Sequence, residues 1–554
     1  MQSNGDVFAP KLWSVFQEGY DLRRLRADLI AGLTVAIVAL PLSMAIAIAS
    51  GVTPAMGLYT AVAGGFLVSA LSGSRHQIGG PAGAFIVLVS ATAARHGVDG
   101  LILATALSGL MLIAAGWLRL GGFVKYIPYP VTVGFTAGIA VIIFASQLKD
   151  LLGLTLKTGE PGDIVAKLEA LFHARDTLNG SAIGISLGVV AVIALLKRVA
   201  PRAPNLLIAV GLATVISSSL HLPIATIGSR FGGIPGGLPG LALPNLSIDK
   251  ILAVLPDATS FALLGAIESL LSAVVADGMT GRRHRSNIEL VGQGIANIGS
   301  ALFGGFCVTG TIARTATNVR AGATSPVSGM AHALFLLAFM ALLAPLAAYI
   351  PLAALAGVLA MVAWNMIEKP AVAALLRASP GDALVLAATF LIVVFRDLTE
   401  GILAGFLIGS VQFIDRMSKE ARISPSERDR QPGADEPDNL PSDNPDIVAY
   451  RLEGAFFFGA AASMGAVLDR ISDQARIFIL DVSHAAYIDS TAANVLEGMA
   501  RKAARRGVTV IIAGASPDME AILRTHHAGP PLTMFAPSLD SAFEQAMTAL
   551  AEAR

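Results

Sequence analysis

Charge is what this 554-residue sequence has least of. Asp, Glu, Lys and Arg make up 14% of it, against roughly 25% in soluble globular chains. A soluble chain of this length has a large surface, and that surface needs charge. The composition therefore argues against a wholly water-soluble protein. It also excludes intrinsic disorder, which needs low hydrophobicity, because 54% of the residues are hydrophobic. Cysteine is almost absent. The single Cys307 excludes an internal disulfide framework and a cysteine-rich metal site. Neither sign of charge is in excess, with 39 basic and 39 acidic residues, so nothing points to a nucleic-acid partner. No nucleophile–base set or metal cluster is visible, so neither enzyme activity nor a cofactor is expected. What is abundant is apolar sequence, with 56 glycines and 28 prolines, which membrane helices tolerate.

Residues 1–28 form a charged lead that does not read as a cleavable signal peptide. Leu12, Trp13, Val15 and Phe16 give it one apolar patch, so a short amphipathic helix on the membrane surface is expected. A bilayer-spanning helix needs ~20 apolar residues. Segments of that kind fall near 29–49, 54–72, 81–95, 98–118, 127–148, 180–197, 204–220, 257–276, 288–303, 311–320, 326–349, 351–367, 381–396 and 398–417. That is fourteen spans, of which 81–95 and 311–320 are too short to cross as continuous helices.

Alternate loops carry the basic residues: Arg75; Arg119 and Lys125; Lys197, Arg198 and Arg202; Arg282, Arg283 and Arg285; Arg320; Lys369 and Arg377. The other loops are neutral or mixed. By the positive-inside rule both termini are cytoplasmic. The chain changes character after 417. Pro425, Pro432, Pro437, Pro441 and Pro445 stand among acidic residues, as in a solvated linker. From 447 strand-like runs (447–452, 477–482, 508–513) alternate with helical stretches (461–471, 491–506, 518–524, 541–552). The expected organisation is a segment 1–28, a transmembrane domain 29–417, a linker 418–446 and a small cytoplasmic α/β domain 447–554.

Seven spans precede the long 221–256 loop and seven follow it. Seven is odd, so the two halves have opposite orientations. Inverted repeats with short, Gly/Pro-interrupted segments at matching positions mark many secondary transporters. The short third span follows Gly79-Gly80-Pro81-Ala82-Gly83, and the short tenth follows Gly304 to Gly310. Two half-helices starting near the midplane leave unpaired N–H groups and partial positive charge at their N-termini. Facing each other, they make an anion site, to which Thr309 and Thr311 can add hydroxyl donors. The plainer alternative is that the glycines only allow close helix packing.

Ionisable residues inside apolar spans are functional candidates. Glu268 sits mid-span with Ser272 one turn on, on the same helical face. Burial disfavours a charged carboxylate, so Glu268 is a candidate to take up and release a proton. With Ser272 it can instead hold Na⁺. Arg314 can lend positive potential to the anion site or pair with Glu268. Gln293 and Asn297 read as links between helices.

The runs Glu268–Gly281, Arg283–Gly294 and Ala313–Pro326 resemble SulP family anion transporters (sulfate permeases). Asp28–Pro41 and Gln77–Phe85 do so too. The resemblance implies a polytopic helical fold of seven plus seven inverted repeats, shared with uracil permeases. It also implies a core domain moving against a gate domain, in a homodimer. By position it puts the substrate site at Ala82, Gly83, Ala84, Phe85, Thr309, Gly310, Thr311, Ile312 and Ala313, with Ser43 and Met44 facing them, and the cation-coupling carboxylate at Glu268. Members resembling sodium-coupled bicarbonate carriers tend to have Asp there, so Glu268 leans towards protons. The sequence departs from the family at Ala82, where many bacterial members have Thr; a backbone N–H contact survives the change. Leu480–Ala493 resembles a STAS domain, the module shared with anti-sigma factor antagonists. In the antagonists a hydroxyl of this loop is phosphorylated, which maps onto Ser490 or Thr491. A helix cap by Asp489 or Ser490 is the simpler reading.

The expectation is a secondary active transporter of a small anion such as sulfate, bicarbonate or a C4-dicarboxylate. It is proton-coupled through Glu268 and sits among the lipids of the bacterial inner membrane, with a possible cytoplasmic partner for the STAS domain. Sodium-coupled bicarbonate symport, a passive channel or exchanger, a nucleobase permease of the same fold and a membrane-anchored signalling protein are the alternatives.

Overall fold

The apolar runs fold as helices whose ends are set by caps, glycines and prolines. The computed structural model describes residues 9–156, 160–161, 163–201, 203–244, 246–420, 422–425, 446–456 and 476–552. They form two units, Met1–Phe406 and Leu407–Arg554.

The first unit begins with α1 (Lys11–Gln17), α2 (Leu22–Ala49), α3 (Pro54–Leu71), the two-residue strand β1 (Gly79–Gly80), α4 (Gly83–Trp117) and α5 (Tyr129–Leu152). Next come α6 (Ile164–His173), α7 (Gly180–Val199), α8 (Asn205–Ser219) and α9 (Ile227–Phe231). The second half contains α10 (Ile248–Thr280), α11 (Ser286–Leu302), β2 (Thr309–Gly310), α12 (Ile312–Arg320), α13 (Val327–Ala347), α14 (Leu352–Met366), α15 (Lys369–Ala378) and α16 (Pro380–Phe395). Helix α17 (Leu398–Glu420) starts here and runs into the second unit.

Each of the fourteen expected spans falls on a helix. The third and fourth share α4, which bends at Gly97, where φ is 68° and ψ −178°. That left-handed φ favours glycine. Among the described residues nine helices are long and apolar enough to cross a bilayer, and α8 and α16 are shorter apolar helices. Helix α12 has nine residues, about 13 Å, and stops well short of a crossing. Large apolar side chains such as Leu110, Phe144, Leu187, Leu212, Leu343 and Leu391 face outwards, whereas Asp28, Glu268, Glu289 and Arg314 are buried. That inverted distribution is what a lipid-facing exterior requires. The unit is a polytopic helical membrane domain.

The heaviest helix packing runs within two sets, which also meet where α14 and α8 touch α2. In one, α10 and α11 pack on α4, and α13 packs on α2; in the other, α14 and α16 pack on α5, and α7 on α8. Helices α4 and α11 meet backbone to backbone. A Cβ added to Gly109 would lie 2.6 Å from the Gly294 carbonyl oxygen, and one added to Gly294 2.4 Å from that of Gly109. Any side chain there would force the helices apart. The expected amphipathic N-terminal helix is α1, with Trp13 and Phe16 exposed and Val15 buried. The Lys11 N–H donates to the Ser72 carbonyl at 3.1 Å, and Glu18 pairs with Arg75.

The second unit is a six-stranded sheet with helices on both faces. Its elements are β3 (Arg422–Pro425), β4 (Ile447–Phe456), β5 (Ile477–Asp481), β6 (Ala485–Ile488), α18 (Ser490–Arg505), β7 (Thr509–Ala513), α19 (Pro517–Thr525), β8 (Thr533–Ala536) and α20 (Leu539–Glu552). The order is β3-β4-β5-β7-β8, with β6 pairing the far end of β4. β4, β5, β7 and β8 are parallel, and β3 runs antiparallel to β4. Every residue of β5 is buried, as a parallel strand covered on both faces must be. β3, β6 and β8 are additions to the three expected strands. The expected helix 461–471 and most of the linker lie outside the described residues. An open cavity of about 700 Å³ includes Arg501, Arg505, Arg524 and His527. Arg501 is paired with Glu497 and Arg524 with Glu520, so two of its three guanidiniums are balanced.

Candidate functional site

The two Gly-containing segments cross in the first unit. β1 and β2 pair antiparallel, Gly79 opposite Gly310 and Gly80 opposite Thr309. The Thr311 N–H and hydroxyl both reach the Ile78 carbonyl, at 3.0 and 3.2 Å. Each strand leads into a helix. The first turn of α4, Gly83–Phe85, is 3₁₀ and starts from Ala82, while α12 starts from Thr311; neither start has a side-chain cap. The two halves thus bring two uncapped N-termini together, each with N–H groups lacking an intrahelical partner. Ala82, Ala84, Phe85, Thr309, Gly310 and Thr311 are buried. Gly83 and Ile312 are partly exposed and Ala313 is exposed, so the crossing opens on that side.

Arg314 reaches across the crossing. Its Nη2 donates to the Pro81 carbonyl at 3.0 Å. A Cβ on Gly80 would lie 1.9 Å from its Nη1, so the guanidinium occupies space that only glycine leaves. The Nε and Nη1 of Arg314 are buried without a partner. Of the two roles open to Arg314, the pair with Glu268 does not form: the backbone oxygen of Pro81 takes the guanidinium instead. A buried cation with two unused donors beside two helix N-termini is suited to hold an anion.

One face of α10 lies along the crossing. Phe261 packs edge-on against Phe85, with ring centroids 6.0 Å apart. The Gly265 carbonyl accepts the Thr309 hydroxyl at 3.2 Å. Ser269 Oγ accepts Gln77 Nε2 at 3.0 Å, and Ser272 Oγ lies 3.0 Å from Thr315 Oγ1. Those positions recur every three or four residues, and Glu268 belongs to the same face. Glu268 is 7% exposed. Ser272 points to Thr315, which also accepts the Ile78 N–H at 3.1 Å.

Ser43 is buried and its hydroxyl has no partner. Met44 lines an apolar cavity of about 540 Å³ with Leu40, Val210, Thr214 and Tyr349. It belongs to the same apolar cluster as Ala82, Ala84 and Phe85. Gln293 and Asn297 do not link helices as expected. Both amides donate to the Val308 carbonyl, Asn297 at 3.0 Å, and Asn297 Oδ1 accepts the Val308 N–H at 3.1 Å. They hold the peptide that leads into β2, because an unpaired buried backbone group is costly. Gln77, Ser269, Thr315 and Glu289 are site-supporting residues that sequence reasoning missed. In the second unit, Ser490 and Thr491 are exposed at the start of α18. Asp489 caps that helix, its Oδ1 accepting the Ala492 N–H at 2.7 Å.

A model of the sulfate permease family matches residues 25–389. The chain belongs to the sulfate permease family. A STAS domain model matches residues 442–542, so this sulfate permease relative joins a membrane domain to a soluble STAS domain. A Bacillus subtilis protein named "Putative sulfate transporter YvdB" is 40% identical over 509 residues, covering 91% of this chain and 94% of that one. The bicarbonate transporter BicA of Synechocystis is 34% identical over 507 residues, covering 89% of each. Among solved structures, the transmembrane domain of a cyanobacterial BicA is 34% identical with a TM-score of 0.61. It covers 70% of this chain and 98% of that one. Murine Slc26a9, an anion transporter in the inward-facing state, has a TM-score of 0.85 over 99% of this chain and 95% of that one. At 18% identity it shows the fold alone. As a sulfate permease family member the chain is a multi-pass anion transporter.

Proposed function

We propose that the protein moves a small anion across the bacterial inner membrane by secondary active transport, with protons coupled through Glu268. Sulfate, bicarbonate and C4-dicarboxylates are the substrate class. The observation that carries this reading is the buried Arg314 guanidinium, with two unpartnered nitrogens, at the crossing of two uncapped helix N-termini. Three sources of positive potential converge where water is scarce, and each is worth more there than in water. Glu268 shares the α10 face that binds Thr309 of β2 and, through Ser269, Gln77 ahead of β1, which supports a link between its protonation state and the anion site. The concentration of helix packing within two sets supports a core that moves against a gate. The family resemblance supports a homodimer, and the basic loops support cytoplasmic termini.

A second reading is sodium-coupled bicarbonate symport. The oxygens of Glu268, Ser272 and Thr315 on neighbouring helices favour it, since hard cations take oxygen ligands, as does the likeness to BicA. Radiolabelled uptake of sulfate, bicarbonate, succinate and fumarate into proteoliposomes, under pH and Na⁺ gradients separately, tests both. Accumulation driven by an inward proton gradient alone supports the first reading. Accumulation of bicarbonate that needs Na⁺ supports the second, and transport of none of the four overturns both.

A further inference from the structure

The carboxylate of Glu289 is completely buried, on the helix that flanks the crossing. Its two oxygens are taken by neutral donors. Oε1 accepts the Ser269 hydroxyl at 2.9 Å, and Oε2 accepts the Gly73 N–H at 2.9 Å. Ser269 accepts in turn from Gln77 Nε2, through its hydroxyl at 3.0 Å and its carbonyl at 3.2 Å. Because the Ser269 oxygen receives a Gln77 hydrogen, its own hydrogen is directed to Glu289. The chain therefore has one direction, from Gln77 through Ser269 to Glu289, and it fixes which way the Gln77 amide faces. Gln77 lies directly against β2: a Cβ built on Gly310 would be 1.4 Å from its Nε2.

Glu289 also heads a polar stripe. Gln293 and Asn297 follow at four-residue steps on one face of α11 and bind the Val308 backbone. Ser300, further along, donates to the Phe306 carbonyl at 2.7 Å. The lower part of the stripe holds the approach to β2. Its first residue reaches, through Ser269 and Gln77, the approach to β1. We propose that Glu289 is a positioning residue for anion binding: acting through Ser269 and Gln77, it sets how the two crossing strands face each other. This rests on the reading that the anion binds at the crossing.

The carboxylate is needed for a chemical reason. Both neighbours of Glu289 present hydrogens to it, so it must accept twice. Glu289→Gln keeps the size but puts an NH₂ against one of those donors. The Ser269 hydroxyl then loses its acceptor and the chain breaks there, so Gln77 Nε2 beneath Gly310 keeps the Ser269 carbonyl but loses a fixed second acceptor. Ser269→Ala removes the middle link and leaves the contact with Gly73 intact.

The test uses the full chain in proteoliposomes with Ala313→Cys, an exposed position, and a water-soluble maleimide. Cys307 is buried and stays silent. Modification rate reads the shape of the crossing without any anion. Protection by sulfate, bicarbonate or succinate reads anion binding. Glu289→Gln and Ser269→Ala are each expected to change the modification rate. Each should also raise the concentration of protecting anion needed by about tenfold, the scale of one lost hydrogen bond to a charged group. The double variant should be no worse than Glu289→Gln alone. Unchanged rate and protection in both variants overturn the proposal. If Glu289→Gln does not fold, Ser269→Ala decides alone. A shifted pH profile of uptake with unchanged protection also overturns it, making Glu289 a proton carrier instead. No protection by any anion in the Ala313→Cys parent overturns the anion-site reading, while the modification rates still judge the positioning chain.

Discussion

Gly80 and Arg314 are one unit at the residue scale. The guanidinium fills the place of a Gly80 side chain, and its Nη2 is spent on the Pro81 carbonyl. Gly80→Ala has nowhere to put its methyl unless Arg314 moves. The displaced guanidinium loses its bond to Pro81 and its aim at the helix N-termini. Anion affinity is expected to fall about tenfold, the scale of a hydrogen bond from a charged group, read as a rise in the KM of uptake. Arg314→Lys keeps the charge but not the fork. An ammonium reaching Pro81 cannot present the guanidinium's two spare nitrogens in fixed directions. It is expected to bind anion more weakly than the parent while retaining transport, and Arg314→Ala is expected to lose uptake. A KM unchanged by Arg314→Lys would show that only charge, not geometry, matters there.

At the scale of elements, short strands and uncapped starts depend on polar side chains from neighbouring helices. Asn297 supplies two of the bonds that hold Val308. Asn297→Ala leaves the Val308 N–H buried and unpaired, a loss of about 2 kcal/mol, measurable as a lower apparent Tm in detergent. Much of this organisation was legible beforehand. Apolar runs of bilayer length marked the helices, and two Gly-rich breaks followed by short spans marked the crossing. The pairing of β1 with β2 was not legible, because it joins segments far apart in the chain and each strand is too short to show an alternating pattern. Gln77 and Ser269 were missed for a related reason: a single buried polar residue declares itself only once its partner is known. Arg314 was legible as a cation of the anion site or as a partner of Glu268, but not as a donor to the Pro81 carbonyl, because only the fold shows that a bare Gly80 opens the way to it. In the STAS domain, Asp481 at the end of β5 shows the same dependence. Burial alone would raise its carboxyl, but hydrogen bonds from Ser483 and Arg451 outweigh it and hold the group below the usual carboxylate range. A lowered folded value stabilises the domain above the unfolded pKa of about 4, and that contribution is lost as pH falls through the folded value. Asp481→Asn is expected to lower the domain's Tm at neutral pH and to flatten its decline below about pH 4, followed by thermal scans across that range.

At the scale of the whole molecule, a carrier and a channel differ in whether the anion site must reorient between sides. The face of α10 that bears Glu268 also binds β2 through Gly265 and, through Ser269, Gln77 on the approach to β1, so under the proposed coupling one helix carries both the proton-cycling carboxylate and the support of the anion site. A carboxylate that cycles its proton links the anion's movement to the gradient; an amide in its place cannot. Glu268→Gln is therefore expected to abolish accumulation against a concentration gradient under an inward proton gradient. Exchange of internal for external anion needs no net proton movement, and it should persist because Arg314 and the helix N-termini are untouched. Counterflow in proteoliposomes separates these outcomes. Trans-stimulated exchange without proton-driven accumulation is the expected result. Accumulation equal to the parent's would remove Glu268 from coupling, and uptake without trans-stimulation in the parent would mean a conducting pore rather than a moving site.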